Sequence, residues 1–149
     1  MKVLVATDGS DAALDAAKRA LDLLRPGAEI ALVTIIPGYE DPMETAGGIE
    51  GPDATEEEAE QDYEHAVEEG RAALDRTSAA LQADTDVRLV PAEDDPGHAL
   101  VKLADDEHAD LLVIGAAGKG FFKRLFSGST SDYVVHHAPC PVLVVRHDH

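Results

Sequence analysis

Five short apolar runs, at residues 3–7, 30–36, 87–90, 111–114 and 142–145, are spread along the 149-residue chain with helix-length segments between them. The first is continuous rather than alternating, which is the pattern of a strand buried on both faces. The first ends at Asp8-Gly9-Ser10, where Ser10 or Asp11 can cap a helix whose apolar side uses Leu14, Ala17, Leu21 and Leu24 before Pro26-Gly27 stops it. A long helix is predicted from Glu56 to about Leu81, with acids at its favourable amino end. Shorter ones run from Pro96 to about His108 and from Ser129 to His137. Strands alternating with helices predict a single α/β domain over 1–149. It is an open five-stranded parallel sheet with helices on both faces, joined by right-handed crossovers. No internal repeat or linker interrupts it.

In such sheets ligands sit at the carboxyl ends of the strands, where the strand order reverses. Asp8 follows the first run and Gly115 the fourth, so the two face one crevice if those strands are neighbours. The segment from Gly115 reads GAAGKGFFKRLFSGST, glycines leading to a helix that opens with Ser129 and Thr130. A strand, then glycines, then Ser or Thr at a helix start bares backbone N–H groups to phosphate. Gly115 ends the strand, Gly118 permits a positive φ or close approach, and Gly128 lets the amides of Ser129 and Thr130 point into the crevice. Lys119, Lys123 and Arg124 lie in this segment, and no acid falls between Asp110 and Asp132. The expected ligand is an anion, a nucleotide above all.

Charge excludes other classes. The chain holds 30 acids against 12 Lys and Arg, a net charge of -18, so its surface repels DNA and RNA. Acids occur in nearly every segment and only five residues are Lys, which favours solubility in a salt-loaded cytoplasm, a halophilic source, over an acidic patch for one basic partner. Charge of this size destabilises a fold by self-repulsion unless it is screened. The asymmetry is sharpest between the 115–130 segment and residues 37–69, which carry thirteen acids and no Lys or Arg. Within that stretch, 37–55 is irregular and rich in proline and glycine, as lids, binding loops and disordered inserts are. No run approaches the ~18 apolar residues of a membrane span, and the opening apolar run is too short for a signal peptide. The single Cys140 excludes an internal disulfide and has no catalytic motif beside it. His136 and His137 are adjacent, about 100° apart on a helix, and poorly placed to share a metal. A cytoplasmic protein without a resident metal is expected.

The glycine spacing (Gly, two residues, Gly, nine residues, Gly, Ser) is neither a Walker phosphate loop nor the G-x-G-x-x-G of dinucleotide binding. It resembles the signature of the universal stress protein family, in particular its ATP-binding branch. The likeness extends over the whole chain, through residues 3–8, Glu93-Asp-Asp-Pro96 and the ending His137-Ala-Pro-Cys-Pro-Val-Leu-Val-Val-Arg146. It implies a Rossmann-like sheet of the adenine nucleotide α-hydrolase type and ATP as ligand, with Mg2+ as an optional companion. Thr7 and Asp8 would lie beside the nucleoside, with Asp8 accepting from the ribose hydroxyls; a carboxylate suits two hydroxyl donors and avoids triphosphate. The backbone of Ile35 would meet the adenine edge, and Gly115, Gly118, Gly128, Ser129 and Thr130 the phosphates, with Lys119 beside them. The resemblance further implies a homodimer through residues 142–145, an apolar edge if left unpaired. The leading expectation is a regulatory module of the stress response that holds ATP and acts on a downstream protein. A slow ATPase or autophosphorylating enzyme is the alternative, lacking a recognisable catalytic set; a nucleotide-free dimeric interaction protein is the second.

Overall fold

The apolar runs become five strands, all parallel: β1 (Lys2–Ala6), β2 (Glu29–Pro37), β3 (Thr85–Ala92), β4 (Leu111–Gly115) and β5 (Val142–Val145). The computed structural model describes residues 1–39, 41, 55–93, 95–115 and 128–146. Between the strands lie α1 (Asp11–Leu23), α2 (Glu56–Leu81), α3 (Pro96–Asp106) and α4 (Gly128–His137). The sheet order is β3-β2-β1-β4-β5. Chain direction across the sheet therefore reverses beside β1: β2 and β3 are laid down on one side of it, β4 and β5 on the other. Right-handed crossovers then put the helices of the two halves on opposite faces. α1 packs beside α2, and α3 beside α4.

Val3, Leu4, Val5, Leu32, Val33, Leu112, Val113 and Ile114 fill the centre of the sheet and are buried on both faces. Leu100 of α3 and Val134 of α4 close the core from one side. The register Val3↔Leu111 to Val5↔Val113 makes β1 and β4 direct neighbours, as one shared crevice requires.

Several boundaries and one helix face differ from the sequence expectation. β3 runs from Thr85 to Ala92 rather than over 87–90, and takes in Pro91. As an edge strand it tolerates a residue with no N–H to donate. α3 stops at Asp106, before Glu107, with His108 in the left-handed region, and α4 begins at Gly128. On α1 the buried residues are Ala13, Ala16, Ala17 and Ala20, whereas Leu14, Leu21 and Leu24 are only half-buried. Of the expected face Ala17 lies in the contact, and its leucines flank it. Most of the irregular 37–55 stretch lies outside the described residues.

Candidate functional site

The crevice is built where β1 stops. Thr7, 1% exposed, is held on every side. Its amide donates to the Val33 carbonyl at 2.9 Å and its carbonyl accepts from Thr34 Oγ1 at 2.8 Å. Its hydroxyl lies 2.8 Å from Thr77 Oγ1 of α2 and accepts from the Gly9 amide at 3.1 Å. Thr7 therefore braces the turn with its side chain instead of pointing that side chain at open solvent. Asp8 is half-buried, and its Oδ1 accepts from the Ser10 amide at 2.9 Å. Ser10 in turn caps α1, its Oγ accepting from the Ala13 amide at 3.1 Å. Gly9 has φ +77°, and a Cβ there would lie 2.6 Å from Ala73 Cα. This turn fixes the Asp8 carboxylate at the mouth of α1.

β2 runs on past the end of β1, since the β1–β2 ladder ends at Ala6↔Val33. Backbone groups alternate sides along a strand. The Val33 carbonyl faces β1, where it meets Thr7, while the Gly38 amide faces β3, donating to Ala92 at 3.0 Å. Ile35 shares the parity of Val33, so its N–H and C=O face the β1 side, beyond where β1 has turned away. Its side chain is buried, 1% exposed. A backbone donor and acceptor two residues past the ladder form an edge that a planar heterocycle can read.

On the other side Gly115 is buried at the end of β4, opposite Val145. Gly118 and Lys119, with Phe121, Phe122, Lys123 and Arg124, lie outside the described residues. The chain is described again at Gly128, which opens α4 with open space where a Cβ would stand. The N–H groups of a first helical turn have no partner within the helix, and they carry the positive end of its dipole. Ser129 is exposed there; Thr130 is buried, with its methyl close to Gly97 of α3. What Thr130 offers a ligand is chiefly its backbone amide. The neighbouring α3 starts alongside, capped by Asp95, whose Oδ1 accepts from the Gly97 amide at 2.6 Å.

Negative charge crowds the same end of the sheet. Tyr39, just past β2, meets Tyr63 of α2 edge-on with ring centroids 6.1 Å apart. Desolvation and the nearby Asp41, Glu60 and Glu56 push its hydroxyl above the ordinary tyrosine range. Among the described residues no group of three His, Cys, Asp or Glu side chains could hold a metal ion. Among them, too, no helix is long and apolar enough to cross a membrane.

Structure brings Thr7, Asp8, Ile35 and Gly115 to the carboxyl ends of three adjacent strands, with Gly128, Ser129 and Thr130 opening the helix between β4 and β5. It adds two residues that the sequence reading passes over, Thr34 and Thr77. Neither carries a local signal, because a threonine in a strand or on a helix face is unremarked until its hydroxyl has a partner.

The fold and the sequence have counterparts in known proteins. The model of the universal stress protein family matches residues 1–146. A universal stress protein of Thermus aquaticus is 34% identical over a 152-residue alignment that covers 97% of each chain. One of Methanocaldococcus jannaschii is 31% identical over 147 residues, covering 97% of this chain and 81% of the relative. Among solved structures, a universal stress protein in complex with cAMP is 29% identical, covers 99% of this chain and 98% of its own, and has a TM-score of 0.61. The Archaeoglobus fulgidus universal stress protein in complex with dAMP is 25% identical over 97% of each chain, with a TM-score of 0.55. Matched from its first strand to its last, and built on the same parallel sheet, this chain belongs to the universal stress protein family.

Proposed function

We propose that the chain binds ATP in the crevice between β1 and β4 and serves as a cytoplasmic, homodimeric regulatory module of the stress response. The observation that carries this reading is the adjacency of β1 and β4 at the point of strand-order reversal. That adjacency supports a single cleft flanked by the Asp8 turn, the β1-side backbone of Ile35 and the amino end of α4. Asp8 takes the ribose hydroxyls and Ile35 the adenine edge. Gly115, Gly118, Gly128, Ser129 and Thr130 take the phosphates, with Lys119 as an auxiliary cation. Relatives solved with cAMP and with dAMP support an adenine nucleotide as the ligand class. Mg2+, where it accompanies ATP, would screen the phosphate charge, and no residue of the chain is assigned to hold it.

Mass spectrometry of freshly purified, denatured protein reads the co-purifying nucleotide, and calorimetric titration with ATP gives its affinity. Asp8→Ala and Gly118→Val each weaken ATP by roughly ten-fold or more, the scale of losing a charge-assisted hydrogen-bond pair or of blocking a close backbone approach. Parent-like affinity in both variants rules the site out. Phosphate release under multiple turnover, no faster than in Gly118→Val, is expected of a protein that holds ATP without cleaving it.

A further inference from the structure

Apart from Thr130, the buried polar side chains among the described residues are Thr7, Thr34 and Thr77, and these three converge on one point. Thr77, 0% exposed, lies on the buried face of α2 with Gly70, Ala73 and Leu74. Its hydroxyl donates to the Ala73 carbonyl one helical turn back, at 2.8 Å. That leaves the Thr77 oxygen as the acceptor toward Thr7, so the proton between them belongs to Thr7. The chain then runs in one direction: Gly9 N–H to Thr7 Oγ1, Thr7 O–H to Thr77 Oγ1, and Thr77 O–H to the Ala73 carbonyl. Every donor is used, and such chains strengthen one another in a dry interior. Thr34 adds its hydroxyl to the Thr7 carbonyl from β2.

α2 thus grips the turn on both sides of Asp8, through the Thr77 hydroxyl before it and the backbone of Ala73 against Gly9 after it. Helix-face threonines usually spend their hydroxyl on the i−4 carbonyl alone, and here the remaining acceptor is spent on a strand end 70 residues away. We propose that Thr77 is a positioning residue for nucleotide binding. It holds the Thr7–Gly9 turn so that the Asp8 carboxylate is set in advance for the paired hydroxyls of the ribose. This rests on the nucleotide reading above. Preorganisation of this kind raises affinity by removing the cost of ordering the turn on binding.

Calorimetric titration of Thr77→Val and Thr77→Ser with ATP and with 2′,3′-dideoxy-ATP tests it, with folding checked by circular dichroism and urea unfolding. Valine keeps the shape and removes the hydroxyl, so ATP weakens about five-fold, the worth of one buried hydrogen bond. Serine restores the hydroxyl and brings ATP to within about two-fold of the parent. Dideoxy-ATP, which offers Asp8 no hydroxyl, is bound by Thr77→Val as by the parent. In an Asp8→Ala background the valine substitution costs no further affinity. If Thr77→Val does not fold, Thr77→Cys carries the same comparison through a weaker donor, with a smaller loss of the same selectivity. Unchanged ATP binding in Thr77→Val, an equal loss with dideoxy-ATP, or failure of serine to restore binding overturns the assignment while leaving the nucleotide site standing. A parent protein that binds no adenine nucleotide overturns both.

Discussion

Gly9 and Gly27 both have positive φ, +77° and +86°, yet an added methyl group meets different surroundings at each. At Gly27 nothing lies within 4 Å of the new Cβ, so Gly27→Ala costs only the left-handed backbone, about 1 kcal/mol. At Gly9 the same Cβ meets Ala73 Cα at 2.6 Å and Ala73 Cβ at 2.8 Å. Gly9→Ala therefore loses about 2–4 kcal/mol in urea unfolding, backbone strain and overpacking together. Equal losses at the two positions would mean that α2 does not pin the turn. A second residue-scale device sits at the opposite end of the sheet. Glu107, which caps the end of α3, has its side chain 17% exposed and receives Lys2 Nζ at 2.9 Å and Arg88 Nε at 3.1 Å, tying that helix end to β1 and β3. Burial is the largest single influence and opposes its ionisation, but the hydrogen bonds and charges of Lys2 and Arg88 outweigh it and hold the carboxyl below the usual glutamate range. A lowered native pKa gives stability that is present above the unfolded value and is lost as pH falls through the native one. Glu107→Gln is thus expected to cost about 1–2 kcal/mol at pH 7 and to match the parent once the pH drops below the native pKa. A pH-independent gap between the two proteins would show that charge is not what the contact supplies. Asp8, Ser10 and Gly128 could be read as residues of interest because each stands directly beside an apolar run or glycine stop. Thr77 could not, since its role exists only through a partner brought to it by the fold.

At the scale of elements, strand existence follows from short apolar runs, but strand order does not, because nothing within a run names its neighbours. The adjacency of β1 and β4 was a condition in the sequence and became a fact only through their register. α1 shows a different limit. Its heptad-like leucines suggested the core face, whereas close approach to β4, β5 and α2 selects the alanines. Periodicity weights large apolar residues; close helix packing prefers small ones. Ala17→Leu, at a site 1% exposed, is accordingly expected to destabilise by about 1–3 kcal/mol in chemical unfolding. A stabilising Ala17→Leu would show that the contact has room for a large side chain. β5 leads to another prediction. It is an edge strand with Val144 41% exposed, beside a groove of about 310 Å³ lined by Arg19, Leu23 and Leu143. Exposed apolar edges pair unless charged or covered. On the dimer proposed above, Val144→Lys shifts the protein to monomer in light scattering behind size exclusion. A monomeric parent, or a variant that stays dimeric, removes β5 as the interface.

For the molecule as a whole, the question is how a chain of net charge -18 would hold the anion proposed for it. α2 begins at Glu56 and meets the Gly9 turn only at Ala73, so about 25 Å of helix extends beyond the end of β1 at 1.5 Å per residue. Its first turns, which reach Tyr39 beyond the end of β2, carry Glu56, Glu57, Glu58, Glu60, Asp62 and Glu64, ahead of Gly70, which packs on Ile36 and Leu89. Repulsion within the fold and repulsion of the ligand then respond to salt in the same direction. The Debye length shrinks from about 10 Å at 0.1 M to about 3 Å at 1 M, which removes long-range repulsion between exposed charges. In the proposed site, hydrogen bonds from backbone amides at the start of α4 would be short-ranged and lose little. Raising KCl from 0.1 to 2 M should therefore raise the thermal midpoint, and dialysis into dilute buffer should unfold the chain cooperatively. A midpoint that stays flat or falls with salt would separate the acidity from stability. Affinity carries the sharper test. A phosphate clamp built from Lys119, Lys123 and Arg124 loses much of its attraction over that range, whereas a cradle of backbone amides in an acidic protein does not. ATP affinity measured across the series is expected to stay within about three-fold or to rise. A fall of ten-fold or more would transfer the phosphate site from the glycines and the Ser129 helix start to the cations of the loop.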